Sequence, residues 1–126
     1  GFMAQNVLDG TLRTWSPSDL EAVADGSALV LDVRSRSEYK RGHVPGALLV
    51  PHTELRDRIG EVVAAAGERP VRVMCASGFR SYLAHRVLVA AGFDSASLDG
   101  GMISLLAARP DLVLETGAER VAAGAS

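Results

Sequence analysis

Residues 28–33, Ala-Leu-Val-Leu-Asp-Val, form an apolar run broken by a single acid, and this run constrains the fold more than any other stretch of the chain. A strand with one wet face alternates apolar and polar residues; a strand covered on both faces reads as a nearly continuous apolar run. Such a strand requires helices on both sides of its sheet. The flanking segments have the signals to supply them.

Ser16 is placed to cap, and Pro17 to open, a helix that continues to about residue 24 and stops near Gly26, after a short extended segment over residues 12–15. Ser35 and Glu38 have capping-box spacing for a short helix ending at Gly42. His43-Val44-Pro45-Gly46 reads as a turn into a short strand over residues 47–50. Leu55, Ile59, Val62 and Val63 recur at helical spacing up to Gly67. Residues 71–74 form the next strand, and Tyr82, Leu83, Arg86, Val87 and Ala90 trace a helix with Gly92 as its closing residue. A last strand is expected at 96–98, then a turn at Asp99-Gly100-Gly101 into a helix over 102–108 stopped by Pro110.

Strands separated by helices imply an α/β sandwich with a largely parallel central sheet. Ligands of such sheets sit beyond the carboxyl ends of the strands. Asp32, Arg34 and Cys75 all fall at those ends, so one site can gather them.

A length of 126 residues suits one domain with a real core and leaves no room for a second catalytic domain. A net charge of −2 gives no basic footprint for nucleic acid. No apolar run approaches the ~20 residues needed to span a bilayer, and no charged leader with an apolar core is present, so no membrane association is expected. The single cysteine forms no internal disulfide, and the three histidines have no spacing that suggests a shared metal. His43 is read as fixing its turn, His52 as a helix-start residue and His85 as part of the helix after the cysteine. A reducing, cytoplasmic setting is expected. The organisation predicted is a junction segment over residues 1–11, a domain over 12–116 and a mobile tail over 117–126.

The chemistry concentrates at Cys75-Ala76-Ser77-Gly78-Phe79-Arg80-Ser81, where a strand gives way to a helix. Turn amides converging on one point, together with the positive end of the following helix, stabilise an anion. A free cysteine has a pKa of about 8.5, and helix N-termini with basic neighbours lower it to roughly 3.5 to 7.5. Cys75 is the expected nucleophile. Ala76, Ser77, Gly78, Phe79 and Arg80 are expected to cradle a bound sulfur, with Arg80 as electrostatic support. Asp32, ending an apolar strand, must find hydrogen bonds or a cation. Arg34 either contacts substrate or pairs with Glu38.

Four motifs in this order resemble the rhodanese-like sulfurtransferase domain over residues 12–110: Leu31-Asp32-Val33-Arg34 with Glu38, Gly42-His43-Val44-Pro45-Gly46-Ala47, the Cys75 loop, and Leu98-Asp99-Gly100-Gly101-Met102. The resemblance implies a three-layer sandwich and a cysteine that accepts sulfane sulfur as a persulfide and passes it to a thiol or cyanide, with no metal. The related cysteine phosphatases place their arginine six positions after the cysteine. Here that position is Ser81, and Arg80 lies one residue earlier, which favours a single sulfur over a tetrahedral phosphate. Members that use thiosulfate often carry a basic residue directly after the cysteine, whereas this chain has Ala76. Polysulfide or persulfide donors thereby gain over thiosulfate.

Residues 1–10 are similar to the segment that joins the dimerisation domain to the rhodanese domain in fused coenzyme A-disulfide reductases and related flavin-dependent NAD(P)H oxidoreductases; the alternative is an ordinary start at Met3. The fused reading implies FAD and NAD(P)H in a parent reductase. This domain contains no Gly-x-Gly-x-x-Gly fingerprint and is expected to bind no cofactor itself.

Overall fold

The computed structural model describes Trp15 and residues 17–75, 79–98 and 101–117. The junction segment, the Ser16 cap, loop residues Ala76, Ser77 and Gly78, the Asp99-Gly100 turn and the tail beyond residue 117 lie outside the described residues.

The elements follow the expected alternation. Helix α1 (Pro17–Asp25) precedes strand β1 (Leu29–Asp32), and α2 (Arg36–Arg41) precedes β2 (Leu48–Leu49). A 3₁₀ turn (His52–Glu54) begins at His52 and leads to α3 (Ile59–Ala66), β3 (Val71–Met74), α4 (Phe79–Ala90), β4 (Ser95–Ser97) and α5 (Gly101–Ala108). The capping box on α2 is complete: Ser35 Oγ accepts from the Glu38 N–H, and Glu38 Oε1 accepts from the Ser35 N–H at 3.0 Å. Gly92 takes φ +92° after α4, the left-handed conformation that favours glycine at a helix end.

All strand pairs are parallel, in the order β2-β1-β3-β4. The chain therefore leaves β1 toward one edge and returns on its other side as β3. Between β1 and β3 lies the point where the winding reverses, and their carboxyl ends are level because Asp32 pairs with Met74. A crevice for ligand opens at such a point.

Strand periodicity divides the core. Leu29, Leu31 and Val33 of the β1 segment and Val71, Val73 and Cys75 of the β3 segment face one cluster, with Val62 and Ala66 of α3 and Ala84 and Leu88 of α4. Val30 and Met74 face the other, with Val23 of α1, Tyr39 of α2 and Met102 and Leu105 of α5. Helices thus cover both faces in three layers. Arg72 shares the Met74 face, where its Nε donates to Asp19 of α1 at 2.6 Å, tying that helix to the sheet through a buried ion pair.

Two helix faces differ from expectation. Val62 of α3 faces the core as expected, but Val63 is 56% exposed and Ala66 packs in its place. In α4 the buried residues are Ser81, Ala84, His85 and Leu88, while Leu83 is exposed. Polar Ser81 and His85 occupy core positions because β4 presents polar partners to them, and a purely apolar periodicity selects the wrong stripe.

Candidate active site

Cys75 follows β3 directly and continues its alternation, so its side chain enters the α3/α4 layer. It is fully buried. The Ser81 N–H donates to Sγ across 3.3 Å. This amide lies in the first turn of α4, where backbone donors have no acceptor within the helix, and a thiolate is well suited to take its hydrogen bond. The carbonyl of Cys75 accepts from the Met102 N–H at 2.8 Å. Two helices therefore fix the residue, one through its sulfur and one through its backbone.

Arg80 precedes Ser81 and forms a two-pronged pair with Glu38, Nη1 to Oε1 at 2.7 Å and Nη2 to Oε2 at 3.0 Å. The guanidinium pulls the Glu38 carboxyl down to about 2, outweighing the opposing effect of burial, with smaller help from the Ser35 amide and hydroxyl. Arg80 is raised in turn, first by Glu38 and more weakly by Cys75 and Asp32. The cap of α2 is thus bolted to the start of the helix behind the cysteine.

Asp32 and Arg34 form a separate buried pair. Arg34 Nε donates to both carboxylate oxygens at 2.9 and 3.1 Å, Nη2 to Oδ2 at 2.7 Å, and the Arg34 N–H to Oδ1 at 3.0 Å. Nη2 also donates to the Gly42 carbonyl at 2.7 Å, which closes the loop around α2. The expected pairing of Arg34 with Glu38 is therefore corrected: its carboxylate is Asp32, two residues away at the end of β1, while Glu38 is taken by Arg80. Asp32 has found the cation its burial demanded.

The site brings together Asp32, Arg34, Glu38, Cys75 and Arg80. Ala76, Ser77 and Gly78 of the expected cradle, and the side chain of Phe79, lie outside what is described. Sequence reasoning did not single out Ser81, Ser97 or the Met102 amide. Ser81 Oγ lies 2.9 Å from Ser97 Oγ in a buried pair; the signal was a serine at a core position of α4 facing a β4 strand that reads Ser-Ala-Ser. His43 holds its turn as expected, with Nδ1 2.7 Å from the Tyr39 carbonyl and its ring stacked on Tyr39. No cluster of three or more His, Cys, Asp or Glu suited to a metal occurs among the described residues, and no described helix is long and apolar enough to cross a membrane.

The Glu38 pairing predicts a pH dependence. Its folded pKa lies below the ordinary 4.5, so the stabilisation is full above that value and is lost as pH falls toward about 2. Glu54 is depressed into the same range by Arg36, so the effect is read as a difference. Wild type is expected to exceed Glu38→Gln by about 1–2 kcal/mol near pH 7, after allowance for solvent screening, and the gap to close below about pH 2 in denaturant titrations.

The rhodanese-like domain family matches residues 16–108. Thiosulfate sulfurtransferase GlpE of Pseudomonas fluorescens is 38% identical over 86 residues, 68% of this chain and 76% of that protein. Reduced CoADR-RHD of Bacillus anthracis superposes with a TM-score of 0.74 at 28% identity, covering 90% of this chain and 20% of that one. A NAD-dependent persulfide reductase from A. fulgidus superposes with a TM-score of 0.61 at 34% identity, covering 79% and 17% respectively. The chain spans 34%, 36% and 14% of three further curated relatives. A parallel four-stranded sheet with its cysteine at the point where the winding reverses, and a family match over most of its length, make this chain a member of the rhodanese-like domain family.

Proposed function

We propose that the chain moves sulfane sulfur through a persulfide on Cys75, as a domain of a flavin-dependent disulfide or persulfide reductase in a reducing cytoplasm. The observation that carries the reading is the Ser81 amide donated to the Cys75 sulfur at the head of α4. A donor aimed at sulfur in a buried site favours its charged, nucleophilic form.

The steps balance without net oxidation. The Cys75 thiolate attacks the outer sulfur of a persulfide R–S–SH; the new bond forms to Cys75, the old S–S bond breaks, and RS⁻ leaves with the electron pair. The proton stays on the transferred sulfur. An acceptor thiolate then attacks that outer sulfur, takes it with its proton, and expels Cys75 as thiolate. Cyanide can take the same sulfur, the proton then returning to Cys75.

Because sulfur moves from thiol to thiol, FAD and NAD(P)H are assigned to a fused reductase part and not to this domain. The likeness to CoADR-RHD and the persulfide reductase supports that assignment. Ala76 removes a charge that would draw in dianionic thiosulfate, which favours persulfide and polysulfide donors. Intact mass after incubation with polysulfide, glutathione persulfide or thiosulfate is the test. A gain of one sulfur on wild type and none on Cys75→Ser is expected. No gain with any of the three overturns the reading in favour of a non-catalytic interaction module.

A further inference from the structure

The interface between α4 and β4 contains two buried polar rungs. Ser81 Oγ meets Ser97 Oγ at 2.9 Å, and one helical turn on, His85 Nδ1 meets Ser95 Oγ at 2.7 Å. All four residues are buried. Polar groups in such a place must be satisfied, and apolar residues would pack the same gap more simply. The two rungs differ in one respect: Ser81 also carries the amide that donates to the Cys75 sulfur.

We propose that Ser97 is a positioning residue, whose hydroxyl grips Ser81 and thereby holds the Ser81 amide on the reacting sulfur. The inference rests on Cys75 being the sulfur-carrying nucleophile.

The geometry gives the grip its leverage. Ser81 belongs to the first turn of α4, the part of a helix least restrained by its own hydrogen bonds. Ser97 belongs to β4, which is fixed to β3 by parallel pairing of Val73 with Ser97. Cys75 extends β3 two residues beyond Val73. The sulfur and the Ser97 hydroxyl are therefore carried on adjacent strands of one sheet, and Ser81 of the helix hydrogen-bonds to both. Loss of the Ser97 hydroxyl lets the helix start shift relative to that frame. Hydrogen bonds weaken steeply as their geometry departs from linear, so a small shift is felt at the sulfur.

The charged and titratable groups around Cys75 are paired, Arg80 with Glu38 and Asp32 with Arg34, and His85 on α4 lies against Ser95. Removing the Ser97 hydroxyl deletes no charge from this set.

The test is the pH profile of Cys75 alkylation in the intact chain, measured with thermal unfolding. Ser97→Ala is expected to move the profile to higher pH and to slow alkylation at neutral pH by about 3–10-fold, since the rate follows the thiolate fraction. Ser97→Thr, which keeps the hydroxyl, is expected to restore the wild-type profile. Ser95→Ala removes the neighbouring rung and serves as the matched control: it is expected to lower stability without moving the profile. If Ser97→Ala does not fold, Ser81→Ala removes the same hydroxyl pair from the helix side and is expected to shift the profile likewise. A wild-type profile in the folded variant lacking the pair overturns the proposal, as does an equal shift in Ser95→Ala. Failure of the parent reading is distinguishable, because wild type itself then gains no sulfur in the mass measurement.

Discussion

Cys75→Ser is expected to lower persulfide-to-thiol sulfur transfer by at least about 10³-fold, to the rate of the uncatalysed exchange. A serine hydroxyl is not ionised near neutral pH and is a far weaker nucleophile toward sulfur than a thiolate, so the nucleophilic route closes. The substitution is nearly isosteric, and the Ser81 N–H keeps an acceptor within reach. Stability is therefore expected to fall by no more than about 1–2 kcal/mol. Steady-state transfer and denaturant unfolding on the same preparation separate the two effects. Cys75 is the only cysteine of the chain, so transfer that survives would require a nucleophile that is not a thiol.

Asp32→Ala is expected to have the largest effect on folding. Arg34 is 6% exposed and directs three side-chain hydrogen bonds at the Asp32 carboxylate. Truncation leaves a buried guanidinium with the Gly42 carbonyl and no counter-charge. Breaking a buried pair from one side costs about 3–5 kcal/mol, a large share of the 5–15 kcal/mol that usually separates folded from unfolded domains. The urea midpoint is expected to drop by roughly 2 M, given a slope of about 1–3 kcal/mol/M for small proteins. A shift under about 0.5 M would mean that water or a nearby group solvates Arg34 as well as Asp32 does. Asp32→Asn keeps an acceptor for the Arg34 N–H and is expected to fall between the two.

Local chemistry in this chain was legible where the partners are close in sequence. The Ser35–Glu38 capping box, the Gly92 ending and the doubly covered β1 run all appear as expected, because each is decided within a few residues. Charge pairing was not, even between near neighbours: Arg34 takes Asp32, two residues away, while Glu38 goes to Arg80, 42 residues away, and that matching depends on where α2 lands against α4. The buried face of α4 was misread for the same reason. Exposed Leu83 and buried His85 invert the usual preference, and only β4, ten residues further on, makes His85 acceptable by offering Ser95. Arg72 pairs with Asp19, 53 residues away in sequence, and nothing near Arg72 in the chain identifies that partner.

The placement of Cys75 within the packed cluster of α3 and α4 links sulfur loading to folding. In the unfolded chain its thiol takes up or releases a sulfur with nothing to repack. In the folded chain the same atom shares its surroundings with Val33, Leu55 and Ala84, and an added sulfur must be housed there. The two equilibria cannot coincide unless the housing is energetically neutral, and their ratio is the change in domain stability on loading. On the proposed persulfide at Cys75, sulfur occupancy is a property carried by the whole domain, and the melting temperature is expected to gauge it.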